Sequence, residues 1–343
     1  MPPYATTAPA ACRETITRLS GSAHSSISLS LTPRFSEVLV ASQVLLSLSR
    51  VSLYLFKTLV HLLVPIAAAT AGFAGTHPSD ADKSSFNLFN PTPPEYMREM
   101  TVDGPGATDS PYTLDAGHFQ LEMSIFHYAN FQNTIDDVPY RLDFWAVAPF
   151  NLKIGLLNRL DLQVLIEPYD HVFEREDGIY RVTRQGFGDT TLRFKYNLWG
   201  NDSGHTALAL LPSVRLPTGE NDIGSDTVEG GLAVPFSADL PWDYFLGLET
   251  RFATAQDFFG GTRSHVEFAN SALLAHKLFG EVEGYVEFFS NVSTESGVGW
   301  AGSFDTGIIC WLTDDLQVNA GAAIGLTQWA DDWSFFMGFA WRY

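Results

Sequence analysis

From Gly117 to the C-terminus apolar side chains recur at every second position, and this alternation restricts the chain to β-strands with one greasy face. It is clearest in the last stretch, Ala330 to Tyr343, which reads ADDWSFFMGFAWRY. Trp333, Phe335, Met337, Phe339, Trp341 and Tyr343 form one uninterrupted row. The opposite row, Ser334, Phe336, Gly338, Ala340 and Arg342, is smaller and more polar. A soluble protein would bury the greasy row against a second sheet. An outer-membrane barrel would turn it to lipid, with aromatics gathered near the interfaces.

Earlier stretches repeat the pattern. Phe119, Leu121, Met123 and Ile125 alternate with Gln120, Glu122 and Ser124. Leu142, Phe144, Ala146, Ala148, Phe150 and Leu152 stand against Arg141, Asp143, Trp145, Asn151 and Lys153. Further strands are expected at 160–167 and 189–198, and then near 205–216, 229–239, 244–255, 265–278, 281–292, 299–312, 315–327 and 331–343. That makes about twelve strands, each with its turn taking about nineteen residues, the spacing of tilted membrane strands. Four prolines, Pro149, Pro168, Pro212 and Pro235, fall inside these stretches. A closed barrel has no edge to hold them, so they are expected at bulges or at strand ends near a rim.

Greasy rows continuous over roughly 220 residues need either a second sheet or lipid to cover them. Charged residues make up 17% of the chain, fewer than the roughly 25% of a soluble domain. A mean hydropathy of +0.02 suits a barrel, in which only alternate residues are apolar. The expected architecture is all-β: a closed antiparallel transmembrane β-barrel of about twelve strands over residues 117–343. Residues 75–116, rich in Pro, Gly and charge, are expected to be an irregular periplasmic segment leading into it. Within 1–74, the first fifty or so residues read as an extension from a mis-assigned start. Lys57 then precedes TLVHLLVPIAAATAGFA, a basic flank, an apolar run and small residues. That order is a signal peptide's, with cleavage after Ala71 or Ala74. With the aromatic C-terminus, it predicts the outer membrane of a Gram-negative bacterium, with outer-membrane lipid as the surroundings.

SPYTLDAGHFQLE at 110–122, LPSVRLPTGEN at 211–221, GGLAVPFSADLP at 230–241 and the closing FAWRY resemble the outer-membrane family named for the MetA pathway of phenol degradation. The likeness runs from about residue 108 to the end. Its entry segment usually reads D-R-P-x-x-T-E-S-P, whereas residues 103–111 here read DGPGATDSP, without the Arg. The resemblance implies an outer-membrane barrel that passes small aromatic or apolar solutes. The C-terminal strand likewise resembles the signal by which such barrels are handed to their insertion machinery.

The side chains expected to line the lumen are Arg141, Asp143, Trp145, Lys153, Asp161, Glu167, Asp189, Arg193, Lys195, Arg215, Glu249, Arg251, Glu267, Tyr285, Glu287, Asp305 and Arg342, with Tyr169 as a further inward aromatic. Charges of both signs could sort solutes in a channel. Alternatively they pair across strands and fill a lumen narrower than that of a porin. The net charge of −19 argues against nucleic acid as a partner. Two cysteines, Cys12 and Cys310, give no disulfide framework or thiolate metal site.

Catalytic patterns are thin. Gly297-Val-Gly-Trp-Ala-Gly302 matches G-x-G-x-x-G but lacks a following helix. His118, His127, His171, His265 and His276 show no metal spacing. The loop at 219–229 offers Asp222, Asp226 and Glu229 but not a calcium-loop order of ligands. The chain therefore reads as a passive pore or facilitator for small solutes, not an enzyme, with no cofactor or metal. Two other classes stay open: a barrel enzyme acting on lipid or peptide, with its Ser/His or Asp/His cluster at one rim, and a secreted two-sheet binding protein.

Overall fold

The computed structural model describes residues 82–135, 137–258 and 263–343. The expected extension and signal peptide lie outside them. The alternating text forms twelve staves in chain order. The first, β1, is Phe119–Ile135. Three follow in two pieces each: β2 (Val138–Val147 and Phe150–Leu157), β3 (Leu160–Ile166 and Tyr169–Glu176) and β4 (Tyr180–Gly186 and Thr190–Trp199). Then come β5 (Thr206–Leu216), β6 (Glu229–Leu240), β7 (Tyr244–Gln256) and β8 (Ser264–Phe279). The last four are β9 (Val282–Ser293), β10 (Ala301–Thr313), β11 (Leu316–Gly325) and β12 (Trp333–Arg342).

Each stave pairs antiparallel with the next, and β12 pairs back onto β1 from Gln120↔Arg342 to Asn130↔Trp333. The ring is closed, so no backbone edge faces outward, as a bilayer requires. Phe119 and Tyr343 complete the seam by exchanging backbone hydrogen bonds of 3.0 and 2.8 Å. On β12, Trp333, Met337 and Trp341 are each nearly half exposed on the outer surface. The greasy rows thus look away from the protein, and the two-sheet alternative falls. The turns after β2, β6, β8 and β10 are short and share the end where β1 begins, and the longest connections, those after β5, β7, β9 and β11, lie at the other. In such barrels the short turns are periplasmic. The chain is an outer-membrane β-barrel.

The breaks in β2, β3 and β4 reverse which residues face inward. At Ala148–Pro149 the chain leaves the ladder, with Ala148 at a φ of +57°. Below the break Asn151 and Lys153 are buried inside. Above it Tyr140, Leu142 and Ala146 take the inward places. Pro168 marks the second break, and Phe187 to Asp189 the third. On β1 a bulge between Ser124 and Phe126 does the same at that level. Pro149 and Pro168 therefore sit at interruptions, as expected. Pro212 and Pro235 do not: both stay within β5 and β6. On one side of each the ladder steps over it, running from Arg193↔Ser213 to Tyr196↔Leu210 and from Leu208↔Phe236 to Leu211↔Ala233, while on the other side Pro212 stays opposite Leu232 and Pro235 opposite Glu249. A residue without an N–H is tolerated where the ladder skips its bond.

The segment ahead of the barrel keeps irregular backbone, apart from one 3-10 turn at Pro94–Tyr96. Its expected place outside the barrel is corrected. Met100, Asp103, Asp109 and Thr113 to Ala116 are buried, and this stretch runs inside the lumen. Carboxylates and cations on the inner wall hold it there.

Candidate functional site: a plugged lumen

The segment is bound by charge. Asp103 Oδ2 lies 3.0 Å from Lys153 Nζ and 2.8 Å from Gln163 Nε2, and its other oxygen meets Lys195. Arg193 stands 3.6 Å from Asp103 and 3.1 Å from Asp109, and Arg251 reaches Asp109 at 2.9 Å. Burial disfavours ionised Asp103, but Lys153, Lys195 and Arg193 outweigh it and hold its carboxyl well below the usual range. Asp109 is lowered likewise, burial being opposed by Arg193 and Arg251.

Wall carboxylates in turn accept backbone N–H groups that would otherwise be orphaned. Glu287 takes those of Ala107 at 2.7 Å and Thr108 at 2.8 Å. Glu249 takes Asp109, and Asp161 takes Leu114, both at 2.9 Å. Thr108 Oγ1 and Ser271 Oγ are 2.7 Å apart. Near the periplasmic rim Arg98 bridges Asp115 at 3.2 Å and Asp202 at 2.7 Å, while Arg342 donates to the Arg98 carbonyl at 2.7 Å. Gly155 permits the closest approach: a Cβ there would stand 1.9 Å from the Asp115 carbonyl oxygen.

Lys153, Asp161, Arg193, Lys195, Glu249, Arg251, Glu287 and Arg342 thus converge on one segment. Of the other expected residues, Arg215, Asp189 and Glu167 lie higher in the lumen, and Asp305 and Tyr285 lie beside Glu287. Arg215 meets Asp189 at 3.0 Å and Glu229 at 3.4 Å. A Cβ on Gly188 would touch Glu167 and Asp170 together, so these two carboxylates share that corner. Asp305 faces Glu287 across the β9–β10 ladder and accepts from Ser303 Oγ at 3.0 Å. Tyr285 is buried inward, its hydroxyl over Gly307 and Gly321.

Four side chains expected in the lumen are not there. Arg141, Asp143 and Trp145 face outward, because the Ala148–Pro149 break reverses the alternation between them and Lys153. Arg141 pairs with Asp143 at 2.7 Å. Trp145 stacks on His171, with centroids 4.7 Å apart, and lies beside Tyr169, which the Pro168 break also turns outward.

In their place the extracellular end of the lumen holds an apolar cap. Phe131, Tyr140, Leu142 and Phe258 are buried together, with Trp329 and Val298 packed against them. Tyr140 meets Phe258 edge-on at 6.0 Å, and Phe258 meets Trp329 at 6.4 Å. A cavity of about 390 Å³ lies inside the barrel. Asp103 to Ala107 of the segment, Phe131, Phe258 and Trp329 of the cap, and Phe289 and Phe336 on the walls all line it.

At the same rim Asp257, His265 and Glu295 bring one ligand atom each within 4.8 Å of the others, a grouping their spacing in the sequence did not suggest. His265 is already hydrogen-bonded to Asp257 at 3.2 Å and Glu267 at 3.3 Å. In the 219–229 loop, Asp222 and Asp226 are exposed while Glu229 turns to Arg215.

Residues 102–343 match the family model described as "Putative MetA-pathway of phenol degradation". The chain belongs to this family. The match begins at Val102, within the lumenal segment, and runs through the barrel. No curated protein matches the sequence. Among solved structures the chain is similar to the COG4313 outer membrane channel from Pseudomonas putida F1. The TM-score is 0.50 at 12% identity, over 71% of this chain and all of that one. It also resembles the NanC porin, at TM-score 0.41 and 9% identity, over 63% and 98%. The translocator domain of the autotransporter NalP from Neisseria meningitidis gives 0.46 at 10%, over 71% and 91%. At these identities the likeness concerns the barrel fold.

Proposed function

We propose that this chain is an outer-membrane channel that passes small solutes, and that those it favours are apolar or carry an aromatic ring. The observation that carries the reading is the cap of Phe131, Tyr140, Leu142, Phe258 and Trp329 over the cavity. A pore for hydrophilic solutes would line its mouth with charges that replace water. Here a solute meets ring faces first, where an aromatic guest gains stacking and burial. Beyond the cavity it meets the segment at 100–116, which must shift for passage to be completed. The fold neighbours and the family match support a channel, and the solute class rests on the cap. The C-terminal strand, ending on Tyr343, is the element through which insertion machinery would take the chain.

The test is single-channel recording of the full chain in planar bilayers. A small aromatic alcohol added on the extracellular side is expected to interrupt the current, and a sugar of similar size to leave it unchanged. An ion-tight barrel, or equal block by sugar and aromatic, would contradict the reading.

A further inference from the structure

Three arginines stand in one line on the outer surface of β2, β3 and β4. Arg141 is directly opposite Arg175, and Arg175 is directly opposite Arg181. Residues paired across antiparallel strands share a face, and Tyr140, Leu142 and Glu174 take the inward places, so all three point away from the lumen. All three are exposed. Neighbouring strands are about 4.8 Å apart, so the row presents three guanidinium groups within about 10 Å.

Like charges placed directly opposite repel and weaken a sheet. The chain only partly relieves this repulsion. Arg141 leans on Asp143 at 2.7 Å, Arg175 on Asp177 at 2.5 Å, and Arg181 lies over the Phe173 ring at 5.0 Å. A guanidinium has five donors, so each keeps several for another anion. The cationic row is set against a chain of net charge −19, so it is not part of a general excess of basic residues. Arg141, Arg175 and Asp177 border a surface concavity with Gln132, Thr134 and Pro139.

The height of the row selects the partner. Along the same outward columns the next residues toward the bilayer are Asp143, Phe173 and Thr183, then Trp145, His171 and Gln185. Tyr128 and Trp333 continue the ring-bearing level onto β1 and β12, with centroids 4.8 Å apart. Aromatics of this kind mark the membrane interface, and the row stands two residues above Phe173, at headgroup level on the long-loop, extracellular side. The anions there are the phosphates of the outer-leaflet glycolipid, and arginine's planar fork matches a phosphate bidentately. We propose that Arg141, Arg175 and Arg181 dock these phosphates, fixing one glycolipid against the β2–β4 wall. This depends on the barrel and its membrane, not on what the channel passes.

The experiment uses the full chain in detergent, with a bis-phosphorylated lipid A and the same lipid stripped of its phosphates, and reads binding by native mass spectrometry. The wild type is expected to prefer the phosphorylated lipid by about tenfold or more, and the triple variant Arg141→Gln/Arg175→Gln/Arg181→Gln to lose that preference. The triple Arg→Lys variant, which keeps charge but not the fork, is expected to retain a weaker preference, and it controls for folding. Inorganic phosphate at millimolar concentration is expected not to compete. Equal binding of the two lipids by the wild type, an undiminished preference in the Gln variant, or displacement by inorganic phosphate would overturn the proposal.

Discussion

Asp103 Oδ2 and Lys153 Nζ lie 3.0 Å apart in the middle of the barrel, with side chains only 2% and 1% exposed. A lysine that far from water is stable only beside its anion, and here the anion comes from the lumenal segment, not from the wall alone. Replacing Asp103 by Ala would leave Lys153, Lys195 and Arg193 short of a shared partner, at a cost of about 3–5 kcal/mol. The barrel itself is expected to persist while residues 82–116 become sensitive to protease. Limited proteolysis of the folded, detergent-solubilised protein checks this, and channel current should rise in parallel.

Gly155 gives a second, purely steric handle. A Cβ at this position would stand 1.9 Å from the Asp115 carbonyl oxygen, and neither backbone can yield easily. Gly155→Val is expected to dislodge the segment near Leu114 and Asp115 while leaving the ladder from Phe150 to Leu157 intact. Amide exchange should rise at Leu114, whose N–H bonds to Asp161, and stay unchanged from Phe150 to Leu157 of β2.

The pH dependence follows from the lumenal carboxylates. Asp103 and Asp109 are held below the ordinary value, burial being outweighed by their cations, and Asp202 is lowered mainly by Arg98 against its own burial. A depressed pKa contributes stability that is fully present above the unfolded value of about 3.9 and is lost as pH falls through the folded value. The part of the segment's protease resistance that an Asp103→Asn variant loses should therefore be constant from pH 8 down to about 4 and vanish only in stronger acid. A difference between wild type and variant that disappears between pH 7 and 5 would contradict this assignment of charges.

The aromatic cap predicts a separation of effects. Phe258→Ala removes a ring packed against Tyr140 and Trp329, and the affinity for an aromatic blocker should fall on the order of tenfold. The resistance of the segment to protease should not change, because its anchors lie lower in the lumen. Titration of current block with the aromatic alcohol, run on wild type and variant, measures the difference.

Much of the fold is readable from alternation alone, because a lipid-facing row has no substitute for continuous apolar side chains. Trp333, Met337 and Trp341 face outward as that argument requires. The same argument misplaces Arg141, Asp143 and Trp145, since it carries one parity through Ala148–Pro149. A single residue outside the ladder reverses every side chain beyond it. The proline was visible in the sequence, but the reversal depends on how the break is bridged, which no periodicity records. The lumenal segment was legible only as irregular text. Asp103 and Asp109 sit in a Gly- and Pro-rich run, and the signal that could have placed them is indirect: Lys153, Arg193, Lys195 and Arg251 crowd a narrow interior and need anions. The apolar cap is missed for the parity reason again, since the row that begins at Leu142 is assigned to lipid.

The central claim is that the segment at 100–116 fills the lumen and must move for solute to pass. Thr108 Oγ1 and Ser271 Oγ, 2.7 Å apart, offer the direct test. With Cys12 and Cys310 replaced by Ser, Thr108→Cys/Ser271→Cys is expected to form a disulfide in the folded barrel. Oxidised channels should carry less current than the same channels after reduction. If the disulfide does not form, or if current is the same in both states, the segment is not the plug described here.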